Sequence, residues 1–198
     1  TIPSKTLRES ALHLDRLKRA GEAFQFNLKP GTQIATLMSR LEQVVQAHDS
    51  FMSRQLRRNG ISLLHGRAHF VNEHLIEMQT VDGARQQLTA KTIVIATGSR
   101  PRNPKEIPVD HEHILDSDSL LSMMYLPQSL MVIGGGVIGC EYASIFALLG
   151  VQVTLIDRAP YPLQFMDREL VEQFVQGLEH NGGRYLGGCQ IAEVRWDN

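Results

Sequence analysis

Cysteine is scarce in this 198-residue chain, which contains only Cys140 and Cys189. The two are far apart in sequence and form no C-x-x-C pair. The sequence therefore offers neither a disulfide framework nor the ligand spacing of a zinc site. Such sparse cysteine usage is typical of a reducing compartment, and it predicts a cytoplasmic protein without a metal site.

An excess of charge and a long apolar run are also lacking. The chain has 20 Lys and Arg against 21 Asp and Glu, a formal net charge of −1. A nearly neutral protein gives no electrostatic reason to expect nucleic acid or an anionic membrane as a partner. No apolar run approaches the roughly 20 residues of a membrane span, and the opening residues TIPSKTLRES lack the apolar core of a signal peptide. We therefore expect neither nucleic acid nor a membrane as a partner.

The most informative stretch runs from residue 129 to 158, SLMVIGGGVIGCEYASIFALLGVQVTLIDR. Its apolar run Leu130–Ile133 predicts a buried strand. After three glycines, the apolar face of Val137–Leu149 predicts a helix that ends at Gly150. A second buried strand is predicted over Val151–Ile156. The order strand, glycine turn, helix, strand is that of a βαβ unit.

The glycines of this stretch have the spacing G-x-G-x-x-G, which is the fingerprint of a dinucleotide-binding turn. In that motif the first glycine permits the tight turn, the second lets the backbone approach a pyrophosphate, and the third lets the helix lie close to the strand. The free N–H groups of the helix start then face the anion. The predicted nucleotide-binding residues are Gly134, Gly135, Gly136, Val137, Ile138 and Gly139.

Asp157 ends the second strand, about 20 residues beyond the glycines, where the fingerprint places an acid that binds the adenosine ribose. A carboxylate there repels a 2′-phosphate and favours NAD(H) over NADP(H), although the adjacent Arg158 offsets part of the repulsion. Glycine-rich turns also occur for structural reasons alone. The agreement of both strands, the helix and the acid favours a nucleotide site, with Asp157 and Arg158 as predicted contacts.

The rest of the chain mixes helical and strand patterns. Apolar residues at helical spacing predict a helix from about Pro3 to Gly21 and a long one over Thr32–Asn59, joined by a connector at residues 24–30. Further helices are predicted over Asp116–Met124 and over Arg168–Glu179, the latter capped by Asp167. Short strands are predicted over Ile61–Leu64, Ala68–Val71, Leu75–Val81, Gln86–Thr89, Ile93–Ala96, Arg184–Leu186 and Gln190–Trp196.

Two charged features remain open at this stage. Lys5 lies in the first turn of the first helix, where a cation opposes the helix dipole, so it is either solvated or close to an anionic group. The run Asp110-His111-Glu112-His113 contains metal-ligating residue types. Adjacent residues cannot all converge on one ion, so we interpret this run as a solvated loop.

Three separated motifs together resemble the two-dinucleotide-binding flavoprotein disulfide reductase family. They are TIPSKTL at residues 1–7, IVIATGSRP at 93–101 and GGGVIGCEYASIF at 134–146. Their order and spacing also match, so the resemblance covers nearly the whole chain. It implies an α/β fold of Rossmann-like FAD- and NAD(P)-binding domains with a small antiparallel β segment. Residues 1–125 would be part of the FAD domain and residues 126–198 the first half of the NAD(P) domain.

Several parts of that family have no counterpart in the sequence. These are the first FAD-binding G-x-G-x-x-G, the second FAD contact region and the dimerisation domain. We therefore expect these 198 residues to be an internal part of a longer, homodimeric protein, with both domains incomplete. In the family a partner subunit's C-terminal domain completes the active site, so this part alone is expected to be inactive.

One departure from the family bears on the reaction. The family has a redox-active cysteine immediately before the Ile/Val-Pro-Ser-Lys run, where this sequence has Thr1. A threonine forms neither a disulfide nor a thiolate, so dithiol chemistry is not expected. This departure and the run VIGCEYASIF are similar to the soluble pyridine nucleotide transhydrogenases of the family. The resemblance implies hydride transfer between NADPH/NADP⁺ and NADH/NAD⁺ through FAD. The alternatives are an FAD/NAD oxidoreductase like dihydrolipoamide dehydrogenase, and a non-catalytic nucleotide-binding or redox-sensing module.

The resemblance also implies site residues. Lys5 would lie near the flavin N5 and pair with Glu141, which makes these two the predicted catalytic residues, unless they are merely two surface charges. Ala68 would lie near the FAD adenine, and Thr97 and Gly98 would approach the cofactor where the chain leaves the FAD domain.

The implied ligands of the site follow from the same family. The predicted cofactors are FAD, NAD(H) and NADP(H), and the nicotinamide nucleotides are the predicted partners. Val137 occupies the position at which some relatives have a tyrosine that gates the nicotinamide. That gate is therefore absent from this chain.

Overall fold

The computed structural model describes residues 2–24, 32–123 and 125–196. It separates into two compact units, one of residues 1–46 with 101–198 and the other of residues 47–100. Helices, a parallel sheet and an antiparallel sheet together confirm the predicted α/β class. The assignment of residues 1–125 to an FAD domain and 126–198 to an NAD(P) domain stays a prediction.

Two long helices open the chain and confirm the helical periodicity. Helix α1 spans Ile2–Phe24 and helix α2 spans Thr32–Arg58. Gly60, just beyond α2, has a φ of +67°, which favours glycine as a helix terminator. The predicted connector lies almost wholly in residues 25–31, outside the described residues.

The unit of residues 47–100 is built on an antiparallel meander. Strand β1 spans Gly66–Asn72, β2 spans Leu75–Thr80 and β3 spans Arg85–Thr89, in the sheet order β1-β2-β3. At the turn between β2 and β3, Gly83 has a φ of +89° and donates its N–H to the Thr80 carbonyl at 3.0 Å. The three predicted strands and the turn that joins the last two are confirmed.

A parallel sheet forms the other unit. Strand β4 (Ser129–Ile133) leads through helix α3 (Val137–Leu148) to β5 (Gln152–Ile156). Helix α4 (Arg168–His180) then leads to β6 (Arg184–Leu186), and the sheet order is β4-β5-β6. The first of these two consecutive βαβ units is the one that the glycine motif predicted, and the second contains the separately predicted helix Arg168–Glu179 and strand Arg184–Leu186. The Asp167 carboxylate caps α4 by accepting the Glu169 N–H at 2.9 Å, which confirms that predicted cap.

Helix α3 is the centre of this unit. Its Ile145 and Phe146 are fully buried, and Leu7 and Ala11 of α1 belong to the same core. The helix ends in a Schellman motif, in which Gly150 has a φ of +89° and Val151 donates its N–H to the Phe146 carbonyl at 3.1 Å. Helix α3, which begins at the glycine turn, is therefore fixed by the cap at its C-terminus and by its buried face.

Three predicted strands are wrong. Ile61–Leu64, Ile93–Ala96 and Gln190–Trp196 carry no strand in the described structure. A buried strand needs neighbouring strands to bond its backbone, yet the two sheets formed by the described residues do not include these segments. Val94 is 82% exposed. The segment Ile93–Ala96 is apolar, but the prediction that it is buried is wrong.

The predicted helix over Asp116–Met124 is also largely wrong, because only a 3₁₀ turn at Ser119–Ser122 forms. The Asp116 carboxylate accepts the N–H groups of Asp118 and Ser119, at 3.1 and 2.8 Å. This local bonding favours a tight turn over an α-helix. Residue 124 lies outside the described residues.

Ser10 on α1 gives a stability prediction. Its side chain is buried, and its hydroxyl is the buried side-chain oxygen that lacks a hydrogen-bond partner within the described part of the chain. Burying an unpaired hydroxyl costs about 1–3 kcal/mol. We expect Ser10→Ala to raise the free energy of unfolding by about 1 kcal/mol, measured by urea denaturation. The matched control is Ser39→Ala at an exposed position of α2, which reports helix propensity alone. Equal effects of the two substitutions would contradict the prediction.

Candidate dinucleotide-binding site

The turn from β4 into α3 requires glycine at its first position. Gly134 has a φ of +107°, a conformation that other residues rarely adopt. Its N–H donates to the Ile156 carbonyl at 2.8 Å, so the turn is bonded to the end of β5. A Cβ at Gly134 would meet no atom within 4 Å. The requirement is therefore one of backbone conformation, in agreement with the predicted tight turn.

The second and third glycines of the motif differ from each other. A Cβ at Gly139 would lie 1.9 Å from the Gly134 carbonyl oxygen, so only glycine lets α3 lie this close to the turn. A Cβ at Gly136 would meet nothing within 4 Å. Gly139 thus has the predicted packing role. The space beside Gly136 is not filled by the described protein atoms and is available to a ligand.

The first turn of α3 provides donors beside that space. Val137 and Ile138 are each 58% exposed. The first N–H groups of an α-helix have no acceptor within the helix and carry its positive dipole end. The start of α3 is therefore accessible, and the predicted contacts of Val137 and Ile138 with a nucleotide stay predictions.

Gly135 serves a different purpose from its neighbours. Its N–H donates to a carboxylate oxygen of Asp157, and its carbonyl accepts the Leu163 N–H at 2.8 Å. A Cβ here would come within 3.2 Å of Asp157 Oδ2 and 3.1 Å of the Pro162 side chain. Gly135 therefore holds the acid in place, and its predicted contact with a nucleotide stays a prediction.

Asp157 is fixed through both carboxylate oxygens. Oδ2 accepts the Gly135 N–H, and Oδ1 accepts the Ala159 N–H at 2.8 Å. Foremost the Ala159 bond, then the N–H groups of Gly135 and Arg158 and the positive charge of Arg158, lower the pKa of Asp157, although partial burial opposes them. The carboxylate is therefore ionised at neutral pH. Each oxygen has a further lone pair with which to accept a ribose hydroxyl.

The segment after β6 is tied to the Asp157 loop. The Tyr185 hydroxyl and the Gly188 N–H both donate to the Ala159 carbonyl, at 2.8 and 3.1 Å. The Cys189 N–H donates to the Asp157 carbonyl at 3.0 Å. These bonds are made by residues that precede the wrongly predicted strand at residues 190–196. They bring the start of that segment to the carboxyl ends of β4 and β5.

A cleft of about 650 Å³ lies at those carboxyl ends. In open parallel sheets ligands bind at this edge, and the volume is within the range of small-molecule sites. Gly134, Asp157 and Arg158 line the cleft, and their contacts with a nucleotide stay predictions. The sequence did not predict the other lining residues as part of a site. They are Arg102, Ile133, Ile156, Cys189, Gln190 and Ile191.

The predicted catalytic pair meets at the starts of two helices. Lys5 in the first turn of α1 donates to the Glu141 carboxylate of α3, although 136 residues separate them in sequence. The Lys5 side chain is 60% exposed, whereas that of Glu141 is 17% exposed. The anionic group expected near Lys5 is therefore Glu141. The role of the pair in chemistry stays a prediction.

The residues assigned to FAD by resemblance lie in the unit of residues 47–100. Ala68 on β1 lines a cavity of about 500 Å³ among polar side chains, where Glu77 lies 3.5 Å from Arg85. Thr97 and Gly98 are exposed in an irregular segment and do not line this cavity. Their contacts with FAD stay predictions.

The cysteines show no dithiol arrangement. Cys140 and Cys189 are both free. Burial, with a smaller contribution from the negative charge of Asp157, raises the pKa of Cys140 to about 12. Cys140 is therefore a protonated, buried thiol at neutral pH, and such a thiol is a poor nucleophile.

The described residues offer neither a cluster of metal-ligating side chains nor a membrane-spanning helix. Residues 2–24, 32–123 and 125–196 contain no group of three or more His, Cys, Asp or Glu side chains that could hold a metal ion. None of the described helices is long and apolar enough to cross a membrane.

Comparison with known sequences supplies named relatives. A soluble pyridine nucleotide transhydrogenase from Mycobacterium tuberculosis is 40% identical over an alignment of 198 positions, and the alignment covers 98% of this chain and 42% of that protein. One from Colwellia psychrerythraea is 39% identical over 197 residues, with the same coverage of 98% and 42%. The chain thus spans about 42% of the length of these curated relatives.

Solved structures with a similar fold include two further proteins. LpdA from Mycobacterium tuberculosis has a TM-score of 0.87 and 25% identity, covering 98% of this chain and 43% of that one. The HOCl-induced flavoprotein disulfide reductase RclA from Escherichia coli has a TM-score of 0.80 and 25% identity, covering 98% and 40%. The sequence profile described as pyridine nucleotide-disulphide oxidoreductase matches residues 1–198. The chain belongs to the pyridine nucleotide-disulphide oxidoreductase family.

Proposed function

We propose that the whole protein is an FAD-dependent pyridine nucleotide transhydrogenase, which moves a hydride between NADPH and NAD⁺. The observation that carries this proposal is the Asp157 carboxylate, which lines the cleft and is held through both oxygens by the N–H groups of Ala159 and Gly135. The two relatives at 39–40% identity carry the name soluble pyridine nucleotide transhydrogenase. Because the chain spans only part of their length, the activity is proposed for the whole protein.

The residues of the βαβ unit fit a nicotinamide nucleotide. The open space at Gly136 and the N–H groups at the start of α3 suit a pyrophosphate. Asp157 suits the adenosine ribose, because its oxygens can accept hydroxyl protons. These residues would bind and orient the nucleotide, while the cleft at the end of β5 would hold its adenosine end.

For FAD, the chain offers a cation and exposed backbone. Lys5, held by Glu141, provides a positive charge, and Ala68, Thr97 and Gly98 are exposed, as backbone contacts with a cofactor require. When bound, FAD would supply the chemistry of hydride transfer between the two nicotinamide nucleotides. The part of Lys5 would be electrostatic, because a fixed ammonium near the ring stabilises negative charge.

The cysteines favour transhydrogenation over disulfide reduction. Thr1 stands where the family has a redox-active cysteine. Cys140 is buried with a pKa of about 12, so it does not substitute for that cysteine. A reaction that passes hydride between two nucleotides needs no protein thiol, which agrees with this composition.

The experiment is a steady-state assay of the whole protein with NADPH and a thio-analogue of NAD⁺. We expect a flavin absorbance spectrum, sustained formation of the reduced thio-analogue, and no NADH-dependent reduction of lipoamide or glutathione disulfide. Reduction of a disulfide without nucleotide-to-nucleotide transfer would contradict the proposal. An FAD-loaded protein that binds NADH but transfers no hydride would instead favour a non-catalytic module.

A further inference from the structure

We propose that Arg102 determines nucleotide specificity in the Asp157 cleft. Together with Arg158, it would bind the 2′-phosphate of NADP(H), so that one cleft takes both NAD(H) and NADP(H). This inference rests on the proposed function, because a transhydrogenase must bind both nucleotides. It goes further by naming a residue outside the glycine motif that makes the second nucleotide acceptable.

The charge of the cleft decides whether a 2′-phosphate can bind there. Asp157 cannot turn away from an incoming phosphate, because Gly135 and Ala159 hold its two oxygens. Its negative charge therefore opposes a 2′-phosphate at close range. One neighbouring arginine balances one carboxylate and leaves no net attraction for the phosphate. A second cation changes the sign of the cleft from neutral to positive.

The structure supplies that second cation. Among the described residues lining the cleft, Arg102 and Arg158 are the positively charged ones, against the single acid Asp157. Both arginines are exposed, so they can reach a ligand. A guanidinium offers paired N–H donors in the geometry that phosphate oxygens accept, which makes arginine better suited to this task than lysine.

Hydrogen bonds anchor the segment that carries Arg102. Its neighbour Asn103 donates from the side-chain amide to the Asp116 carboxylate at 3.2 Å. The Tyr142 hydroxyl of α3 donates to the Ser117 carbonyl at 3.2 Å. The segment that carries Arg102 is therefore connected by hydrogen bonds to α3, the helix whose start forms the candidate nucleotide site.

A ring contact links the segment that carries Arg102 to the segment that follows β6. The ring of His113 stacks on Trp196 with the centroids 4.3 Å apart and the planes 17° apart. Trp196 ends the segment whose beginning, Cys189 to Ile191, lines the cleft. The segment that carries Arg102 and the segment after β6 therefore contact each other through His113 and Trp196, and both contribute residues to the cleft.

The test measures the dissociation constants of NADP⁺ and NAD⁺ for the whole protein by calorimetric titration. Charge-assisted bonds contribute about 1.5–3 kcal/mol, so Arg102→Gln should weaken NADP⁺ binding roughly 10- to 100-fold. NAD⁺ binding should stay within about twofold, because the substitution removes a contact that NAD⁺ lacks. The matched control is Arg100→Gln, an exposed arginine of the same loop that does not line the cleft. It should change neither constant.

Two smaller ligands that lack the nicotinamide test binding in the cleft alone. 2′,5′-ADP and 5′-AMP differ by the 2′-phosphate alone, and Arg102→Gln should weaken only the first. Equal effects on both probes, or no effect on 2′,5′-ADP, would overturn the inference while the transhydrogenase proposal stands. If the unaltered protein binds neither NAD⁺ nor NADP⁺, the proposed function fails, and the inference fails with it.

Discussion

Gly139→Ala is expected to destabilise the parallel-sheet unit by about 3 kcal/mol and to abolish NADH binding. The added Cβ would lie 1.9 Å from the Gly134 carbonyl oxygen, which is far inside van der Waals contact with rigid backbone. Either the turn or α3 must move. Because Ile145 and Phe146 of that helix are fully buried, a movement of α3 also disturbs the core.

The measurements for this variant are the free energy of unfolding by guanidinium titration and the NADH dissociation constant. The matched control is Gly136→Ala in the same turn, where a Cβ meets no described protein atom. Stability should fall by no more than about 1 kcal/mol there, the usual range for alanine at an N-cap. NADH affinity should nevertheless fall at least about tenfold, because the methyl group occupies the space needed by the pyrophosphate.

Each of these two variants can contradict one part of the account. A Gly139→Ala protein as stable as the parent would mean that the turn yields easily and that packing does not require glycine. A Gly136→Ala protein with unchanged NADH affinity would remove the backbone of the turn from the phosphate site. The pair therefore separates the architectural glycine from the ligand-contacting one.

The local parts of the site were predictable from sequence. The glycine turn, α3, β5 and Asp157 follow from rules that act over a few residues: a φ of +107° at Gly134, an apolar helical face and an acid at a strand end. The cap of α4 by Asp167 is another local rule. Such features do not depend on what the rest of the chain does.

Features that depend on distant partners were predicted less well. Ile61–Leu64 and Ile93–Ala96 have strand-like composition, but a strand forms only where another strand bonds it. Arg102 and Gln190 line the cleft because the chain folds back on itself, and no spacing rule connects them with the glycines. The pairing of Lys5 with Glu141 was expected only from family resemblance. No local rule predicts it, because 136 residues separate the two.

Lys5→Met is expected to lower the proposed hydride transfer by about 100-fold while lowering the free energy of unfolding by no more than about 2 kcal/mol. The Lys5 side chain is 60% exposed, so the pair itself contributes little to stability, but Glu141 is 17% exposed and loses its partner. A fixed positive group directed at developing charge, in contrast, is worth about 10²–10³ in rate. The measurements are the steady-state rate with NADPH and a thio-analogue of NAD⁺, and the unfolding free energy.

Arg8→Met is the matched control, because Arg8 lies one turn further along α1 and pairs only loosely with Glu9, at 3.8 Å. It should leave the rate unchanged. Glu141→Gln keeps the cation but releases it, so its loss should be smaller than that of Lys5→Met. The double variant should be no slower than Lys5→Met, since the two side chains act as one unit.

A second readout distinguishes chemistry from structure. If Lys5 stabilises negative charge on the flavin ring, its removal should make the bound flavin harder to reduce, which is seen as a lower midpoint potential. A structural contact between α1 and α3 would leave that potential unchanged. A Lys5→Met protein with the rate and potential of Arg8→Met would therefore make the pair an ordinary surface contact. The proposed catalytic site would then lack the one cation that the described part of α1 brings to Glu141.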